Sequence, residues 1–286
     1  MKNKFFIQKF VLCVLELSDY EKGMVINMNL FVSKGEDTPF LKMVANVILL
    51  VSIVTGVFWF ALAKIGVTFE FSFLVDMKIR LMDGFLMTIY LSVCSLILSL
   101  LLGIISAISQ FSNILLVKYG AKLYVTFIRG TPLIMQIYLF FYIVGTAFGI
   151  SNRFLCGVLI LSIFEGAYIA EIIRGSILSL ESSQIEAAKA VGFTKKQMIQ
   201  HVILPQLMAQ TIPALAGQFA SIIKDSSLLS MIAVIELTQT MREISAINLK
   251  LFECYLALGV MYLCLTLPVT FASKSLEKRF YESDGH

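Results

Sequence analysis

Long, uninterrupted apolar blocks constrain this sequence more than any other feature. They run approximately over residues 44–63, 85–107, 124–148, 154–178, 207–237 and 251–272. Each block matches the roughly 17–25 residues that a helix needs to cross a bilayer. A helix satisfies its backbone hydrogen bonds within its own segment, as contact with lipid requires. The sequence therefore predicts an all-α, polytopic membrane protein with about six transmembrane helices.

The composition supports membrane insertion and argues against several other classes of function. Of the 286 residues, 58% are hydrophobic and 15% are charged, whereas an average soluble domain has roughly 25% charged residues. The formal charge of +4 is scattered, so nucleic-acid binding has no support. Two histidines, and five cysteines without a CxxC pair, indicate neither a metal site nor a disulfide framework. We expect no catalytic residues, no metal and no cofactor bound by this chain.

Basic side chains flank alternate junctions between the apolar blocks. Lys122 and Arg129 lie near the junction of the second and third blocks, Lys195 lies between the fourth and fifth, and Lys274 follows the sixth. Lys and Arg concentrate in cytoplasmic loops. We therefore expect these junctions to be cytoplasmic and the loop that contains Lys250 to lie on the opposite side.

The blocks also suggest how the chain is divided. We expect an N-terminal cytoplasmic extension at 1–41, and an additional transmembrane helix with an extracytoplasmic loop at 42–83. A main transmembrane domain follows at 84–279, and a C-terminal tail at 280–286.

The segment between Leu180 and Pro205 differs from the other loops because it is polar and favours helix. Three alanines between residues 187 and 190 are strong helix formers, and Gly192 interrupts them. Thr194 can cap a second short helix, and Pro205 suits the first turn of the next crossing. This pattern predicts two short helices on the membrane surface, joined by a tight turn that suits docking by a partner.

The same segment contains a motif at fixed spacing. The sequence Glu-Ala-Ala at 186–188 is followed after three residues by Gly192 and after nine more by Val-Ile-Leu-Pro at 202–205. This pattern resembles the EAA loop of ABC-importer permeases, in which Ile usually stands in place of Val202. FIRGTPL at 127–133, EGAYIAEIIRG at 165–175 and IKDSSL at 223–228 resemble the polar amino-acid permeases of the histidine/glutamine type. The resemblance covers about 84–279, and Ser176 and Ser183 replace glycines that are usual in that family.

The resemblance implies the fold of a type I ABC importer permease and a function in the bacterial cytoplasmic (inner) membrane. Such a subunit translocates a polar amino acid, such as glutamine, histidine or arginine, while a separate ABC ATPase subunit hydrolyses ATP. It pairs with a second copy or a homologue, and an extracytoplasmic solute-binding protein delivers the amino acid. The residues expected to couple this chain to the ATPase are Glu186, Ala187, Ala188, Gly192, Leu204 and Pro205.

Lys224 and Asp225 are the sharpest polar feature inside an apolar block. Ionisable groups at this depth are costly and mark functional sites by default. Each has the other as a possible partner, and Asp225 with its two following serines could cap a second half-helix that begins at Leu228. The pair could line the substrate path or close a helix break without touching substrate.

Other polar residues in the blocks are further candidates. Glu165 could face the substrate path and attract an ammonium group, and Gln218 is a similar candidate. Glu171 and Arg174, three residues apart on one helical face, suit a structural ion pair. Arg129 suits either gating or anchoring at the membrane interface.

Two other classes of membrane protein compete with the importer. A secondary transporter would use an ion gradient and often shows two related halves with broken helices, but the Lys224–Asp225 region and the EAA-like loop occur once. A scaffold or channel would not need such a loop. No GxxxxGK[ST] motif occurs in the chain, so an ATP-driven mechanism requires a partner.

Overall fold

The computed structural model describes residues 40–66 and 69–283, and every regular element in these ranges is helical. The described residues form two compact units, divided between Thr68 and Phe69. The α-helices are α1 (Phe40–Ile65), α2 (Ser72–Asp76), α3 (Lys78–Gln110), α4 (Leu115–Gly130), α5 (Leu133–Tyr138), α6 (Arg153–Leu178), α7 (Ser182–Ala190), α8 (Lys195–Met198), α9 (Leu204–Asp225), α10 (Leu237–Asn248) and α11 (Leu251–Ser283). Most of the predicted extension at 1–41 lies outside the described residues.

The described part of the first unit forms the helix α1. Its span from Lys42 to Ile65 has a mean hydropathy of 2.3, and none of its most apolar window is buried within the protein. Large apolar side chains such as Leu50 and Trp59 are exposed all along it. A helix that is apolar on every side is a membrane span rather than the surface helix of a soluble domain.

In the second unit, α3, α6 and α11 are also long and apolar enough to cross a membrane. The described residues thus contain four such helices, or five if the bent pair that begins with α4 forms one span. The predicted crossing at 207–237 begins as α9, which is more polar because it carries three glutamines, a lysine and an aspartate. It then continues as a 3-10 helix, Ser226–Ile232, before α10 begins.

The apolar block at 124–148 is bent rather than straight. Helix α4 ends at Gly130, and α5 with the following π-helix, Leu139–Gly145, runs at 112° to it. Thr131 is extended because the ring of Pro132 disfavours helical conformation in the preceding residue. The buried Gln136 amide donates to Ile128 O over 2.8 Å and to Thr131 Oγ1 over 2.7 Å, which satisfies acceptors at the broken helix end.

The most extensive helix contact among the described residues of the second unit joins α3 to α6. A Cβ atom added at Gly103 would lie 2.4 Å from Ile169 Cγ2, so only glycine allows this approach. The Ser162 hydroxyl donates to Ser95 O over 3.3 Å across the same contact. Small residues commonly let membrane helices approach in this way. This contact fixes the position of α6, which carries Glu165, Glu171 and Arg174.

A second apolar cluster joins α10 and α11 to the start of α3. Glu236 caps α10 by accepting from Thr238 N and Gln239 N, both over 2.8 Å. At the same end of the unit, Lys250 Nζ lies 3.1 Å from Glu70 Oε2. The hydrogen bond from Lys250 lowers the pKa of Glu70 below its ordinary value.

Candidate functional site

The predicted two-helix loop is present as α7, a turn and α8. Thr194 accepts a hydrogen bond from Gln197 N, and the Gln197 side chain accepts one from Thr194 N over 2.9 Å. This reciprocal capping box begins α8 as the sequence predicts. Pro205 lies in the first turn of α9, also as predicted.

The turn between α7 and α8 depends on Gly192. Its φ of +88° lies in the left-handed region, which glycine adopts without steric cost. Gly192 N donates to Lys189 O and Phe193 N donates to Ala188 O, both over 3.0 Å. These bonds satisfy carbonyl groups at the end of α7 and fold α8 back beside it.

An open groove of about 410 Å³ lies between α7 and the start of α9. Its lining includes Ala187, Ala188, Phe193 and His201. Glu186, Ala187 and Leu204 are exposed, whereas Ala188 is buried at the base of the groove. The Gln206 amide donates to the Gln184 side chain and ties α9 to α7. The loop therefore presents a shaped, partly apolar surface on a hydrogen-bonded frame, as docking of a partner requires.

A buried acidic cluster joins α6 to α9. Glu165 is fully buried, and its Oε2 accepts a hydrogen bond from the Gln218 amide. The side chain of Asp225 approaches the same carboxyl group. Oε1 of Glu165 meets no hydrogen-bond donor among the described residues. Three of the four predicted substrate-path residues are thus brought together in a cluster that is short of positive charge.

The fourth candidate, Lys224, does not join this cluster. Its side chain is exposed, and no ion pair within 4.0 Å links it to Asp225 in the described part of the chain. A direct Lys224–Asp225 ion pair is therefore not formed among the described residues, although the charge of Lys224 acts on the Asp225 carboxyl group. Consecutive residues on a helix point about 100° apart, so Asp225 faces α6 while Lys224 does not.

A second helical segment follows Asp225 as predicted, but its start and its type differ from the prediction. A 3-10 helix begins directly at Ser226, and the Asp225 side chain makes no capping hydrogen bond to it. The Ser226 hydroxyl instead donates back to Ile223 O over 2.8 Å.

The ion pair between Glu171 and Arg174 is present, and it forms part of a larger group. Arg174 Nε donates to Glu171 Oε2 over 2.9 Å, and Arg129 Nη1 lies 3.5 Å from Glu171 Oε1. The Arg129 guanidinium also stacks 5.5 Å from the centre of the Tyr168 ring. Arg129 is therefore joined to α6 by a salt bridge and a cation–π contact.

Three residues near this group were not predicted as site residues: Gln110, Lys122 and Tyr168. All three line a cavity beside Arg129. The spacing of Tyr168, Glu171 and Arg174 places them on one helical face, and this could have indicated from the sequence that they share a site. The position of Gln110 in the site could not be predicted from spacing, because its burial depends on how α3 packs against other helices.

The family described as "Binding-protein-dependent transport system inner membrane component" matches residues 99–281. This chain belongs to that family. The match covers the bent helix pair, the α7–α8 loop and the acidic cluster, so these features lie within the family's transport unit. The chain is a multi-pass membrane component of a transport system.

Individual relatives are similar over most of their own length. The chain is 35% identical over 212 residues to the "Probable glutamine ABC transporter permease protein GlnM" of Bacillus subtilis (strain 168), covering 74% of this chain and 98% of the relative. It is 36% identical over 201 residues to the "L-cystine transport system permease protein TcyB" of the same organism, covering 70% and 86%.

A solved structure described as an amino acid ABC transporter with histidines is similar in sequence and fold. Its TM-score is 0.69 at 32% identity, and the match covers 74% of this chain and 100% of that chain. This similarity confirms the predicted fold class, an all-α permease of the type I ABC importers.

Proposed function

We propose that this chain is the membrane-spanning subunit of an ATP-driven importer that carries a polar amino acid across the bacterial inner membrane. The α7–α8 loop carries this proposal. It combines a left-handed Gly192, a capping box on α8 and an exposed groove in one rigid unit. A membrane protein without a nucleotide motif of its own needs such a unit to receive work from a soluble partner.

In this proposal, an ABC ATPase subunit seats against the groove. Glu186 and Ala187 are exposed at its surface, and a π-helix, Ile199–Ile203, joins α8 to Leu204 and Pro205 at the start of α9. Motion of the loop therefore reaches Gln218 and Asp225 through one continuous helix. ATP is bound and hydrolysed by the partner, and this chain performs no chemistry on it.

The acidic cluster is the proposed part of the substrate path. Glu165 and Asp225 bring two carboxyl groups together, and Gln218 contributes one amide. An amino acid supplies an ammonium group, which would offset the buried negative charge. Relatives named for glutamine and cystine support a polar amino acid as the substrate class.

The proposed assembly contains a second copy of this chain or a homologue, ATPase subunits and an extracytoplasmic solute-binding protein. Membrane lipid surrounds the apolar faces of the helices. A secondary transporter driven by an ion gradient is the alternative, and nothing in its mechanism requires the α7–α8 loop.

Affinity purification of the tagged chain from its native membrane tests the proposal. We expect an ATPase subunit to co-purify and its activity to rise with one polar amino acid and the matching binding protein. Recovery of a transport-competent permease without any ATPase would support the alternative.

A further inference from the structure

The cavity beside Arg129 lies between α3, α4 and α6, and Glu165 is not among the residues that line it. Its volume is about 600 Å³. The lining includes the basic residues Lys122, Arg129 and Arg174, and the acidic residue Glu171. Three cationic side chains and one carboxylate leave an excess of two positive charges.

The Glu171 carboxylate already interacts with basic side chains of the lining. Both oxygens of Glu171 interact with Arg174, and Oε1 also faces Arg129. Lys122 has no carboxylate within 4.0 Å in the part of the chain that the structure describes. A zwitterion would bring an ammonium group that finds no unused carboxylate here, so the cavity suits an anion.

Gln110 adds an independent observation. It lies at the last position of α3, its side chain lines the cavity, and only 6% of the residue is exposed. Its Nε2 has no hydrogen-bond partner among the described residues. A buried donor without an acceptor is energetically unfavourable. An anion in the cavity would supply that acceptor.

We propose that this cavity binds a phosphate-bearing anion through Lys122, Arg129, Arg174 and the Gln110 amide. Guanidinium groups match phosphate oxygens in geometry and charge. Leu123 follows Lys122 on α4 and has an exposed apolar side chain, as does Phe127 on the same helix. Such side chains can lie against acyl chains, and basic pockets between membrane helices bind anionic headgroups. A phospholipid headgroup is therefore the favoured source of the phosphate.

The site is tested with the purified transporter, including any subunits that co-purify with it. The protein is delipidated and then reloaded with equal amounts of phosphatidylglycerol and phosphatidylcholine, and retained lipid is quantified by mass spectrometry. Wild type should retain phosphatidylglycerol in preference to phosphatidylcholine. Lys122→Gln should reduce phosphatidylglycerol retention about fivefold, and Lys122→Arg should preserve it.

Lys118→Gln is the matched control, because it removes the same charge one turn earlier on α4 and Lys118 does not line the cavity. Its retention should stay within about twofold of wild type, as expected for a charge outside the site. Equal losses in Lys118→Gln and Lys122→Gln would overturn the proposal in favour of diffuse attraction to the surface.

A second arm separates the two sources of phosphate. Inorganic phosphate is added to the delipidated protein at constant ionic strength, and the melting temperature is measured. Stabilisation of wild type but not of Lys122→Gln, without lipid selectivity, would support the same site with a soluble ligand. Neither lipid selectivity nor stabilisation by phosphate in wild type would overturn the proposal.

Discussion

Glu165 is fully buried on α6, and its carboxyl group meets Gln218 and Asp225 but no basic side chain among the described residues. Buried charges are normally paired because the desolvation penalty is several kcal/mol for each ion. An acidic cluster without a basic side chain is suited to bind a ligand that carries a positive charge. The acidic cluster is therefore where an amino-acid ammonium group would be stabilised most.

Glu165→Gln tests that role with little change in shape. Glutamine fills the same volume and can still bond to Gln218, so insertion and melting temperature should stay near wild type. Removing the charge that attracts the ammonium group should lower the uptake efficiency by about tenfold or more, which is roughly 1.4 kcal/mol. The uptake efficiency is obtained by measuring the uptake of radiolabelled amino acid at a series of amino-acid concentrations.

Glu243→Gln is the control for this substitution, because it removes the same charge from the half-exposed pair with Arg80. Exposed pairs are worth about 0–1 kcal/mol, so its uptake should be close to wild type. Full uptake by Glu165→Gln would remove Glu165 from the substrate path.

Asp225 should couple more strongly to Glu165 than to Lys224, because its side chain meets Glu165 and forms no ion pair within 4.0 Å with Lys224 in the described part of the chain. In a double-mutant cycle with Lys224→Ala and Asp225→Asn, the interaction energy for uptake should therefore be the smaller of the two. Glu165→Gln and Asp225→Asn should instead be strongly non-additive, since they share one cluster. Strong coupling between Lys224 and Asp225 would restore the pairing that the sequence alone suggested.

Among the structural elements, the α7–α8 loop is one in which every local sequence signal predicts the same structure. Gly192 supplies the left-handed turn, and Thr194 with Gln197 supplies the cap. Because each signal is local, the loop could be predicted from the sequence.

Gly192→Asp should damage the loop without unfolding the membrane helices. A side chain at φ +88° costs on the order of 1 kcal/mol. A Cβ at this position meets no atom within 4 Å, so the cost is one of backbone conformation rather than of a clash. Membrane insertion should be normal, whereas uptake and recovery of the ATPase in detergent should fall sharply.

Gly120→Asp provides the comparison. Gly120 also has no atom within 4 Å of an added Cβ, and it lies inside α4 with ordinary helical geometry. Recovery of the ATPase in detergent should be normal for this variant. If Gly192→Asp also kept normal recovery and normal uptake, the loop would not be the coupling element.

The elements that differ from the prediction have two different causes. The bend after Gly130 is local, because Pro132 and the Gln136 amide lie beside it, but the apolar block around them looks continuous. The Asp225 side chain meets Glu165, sixty residues earlier, and forms no ion pair within 4.0 Å with its neighbour Lys224 in the described part of the chain. Spacing along one helix predicts partners on that helix, whereas partners on another helix require the packing of α6 against α9.

At the scale of the whole molecule, the arrangement of charge predicts which loops face the cytoplasm. Single cysteines at Lys195 and Lys250 should be labelled from opposite sides of the membrane, in a background from which the native cysteines have been removed. Lys195 begins α8, and Lys250 lies between α10 and α11. An impermeant reagent added outside intact cells should label position 250 alone. Labelling of both positions would contradict the proposed topology.

In the proposed importer, ATP hydrolysis by a partner drives amino-acid uptake through this chain. This coupling is tested by uptake into proteoliposomes that contain the purified complex, with ATP on the side of the α7–α8 loop and the binding protein on the other. We expect uptake that requires ATP, persists when ionophores abolish every ion gradient, and is lost in Gly192→Asp. Uptake driven by an ion gradient without ATP would contradict the account.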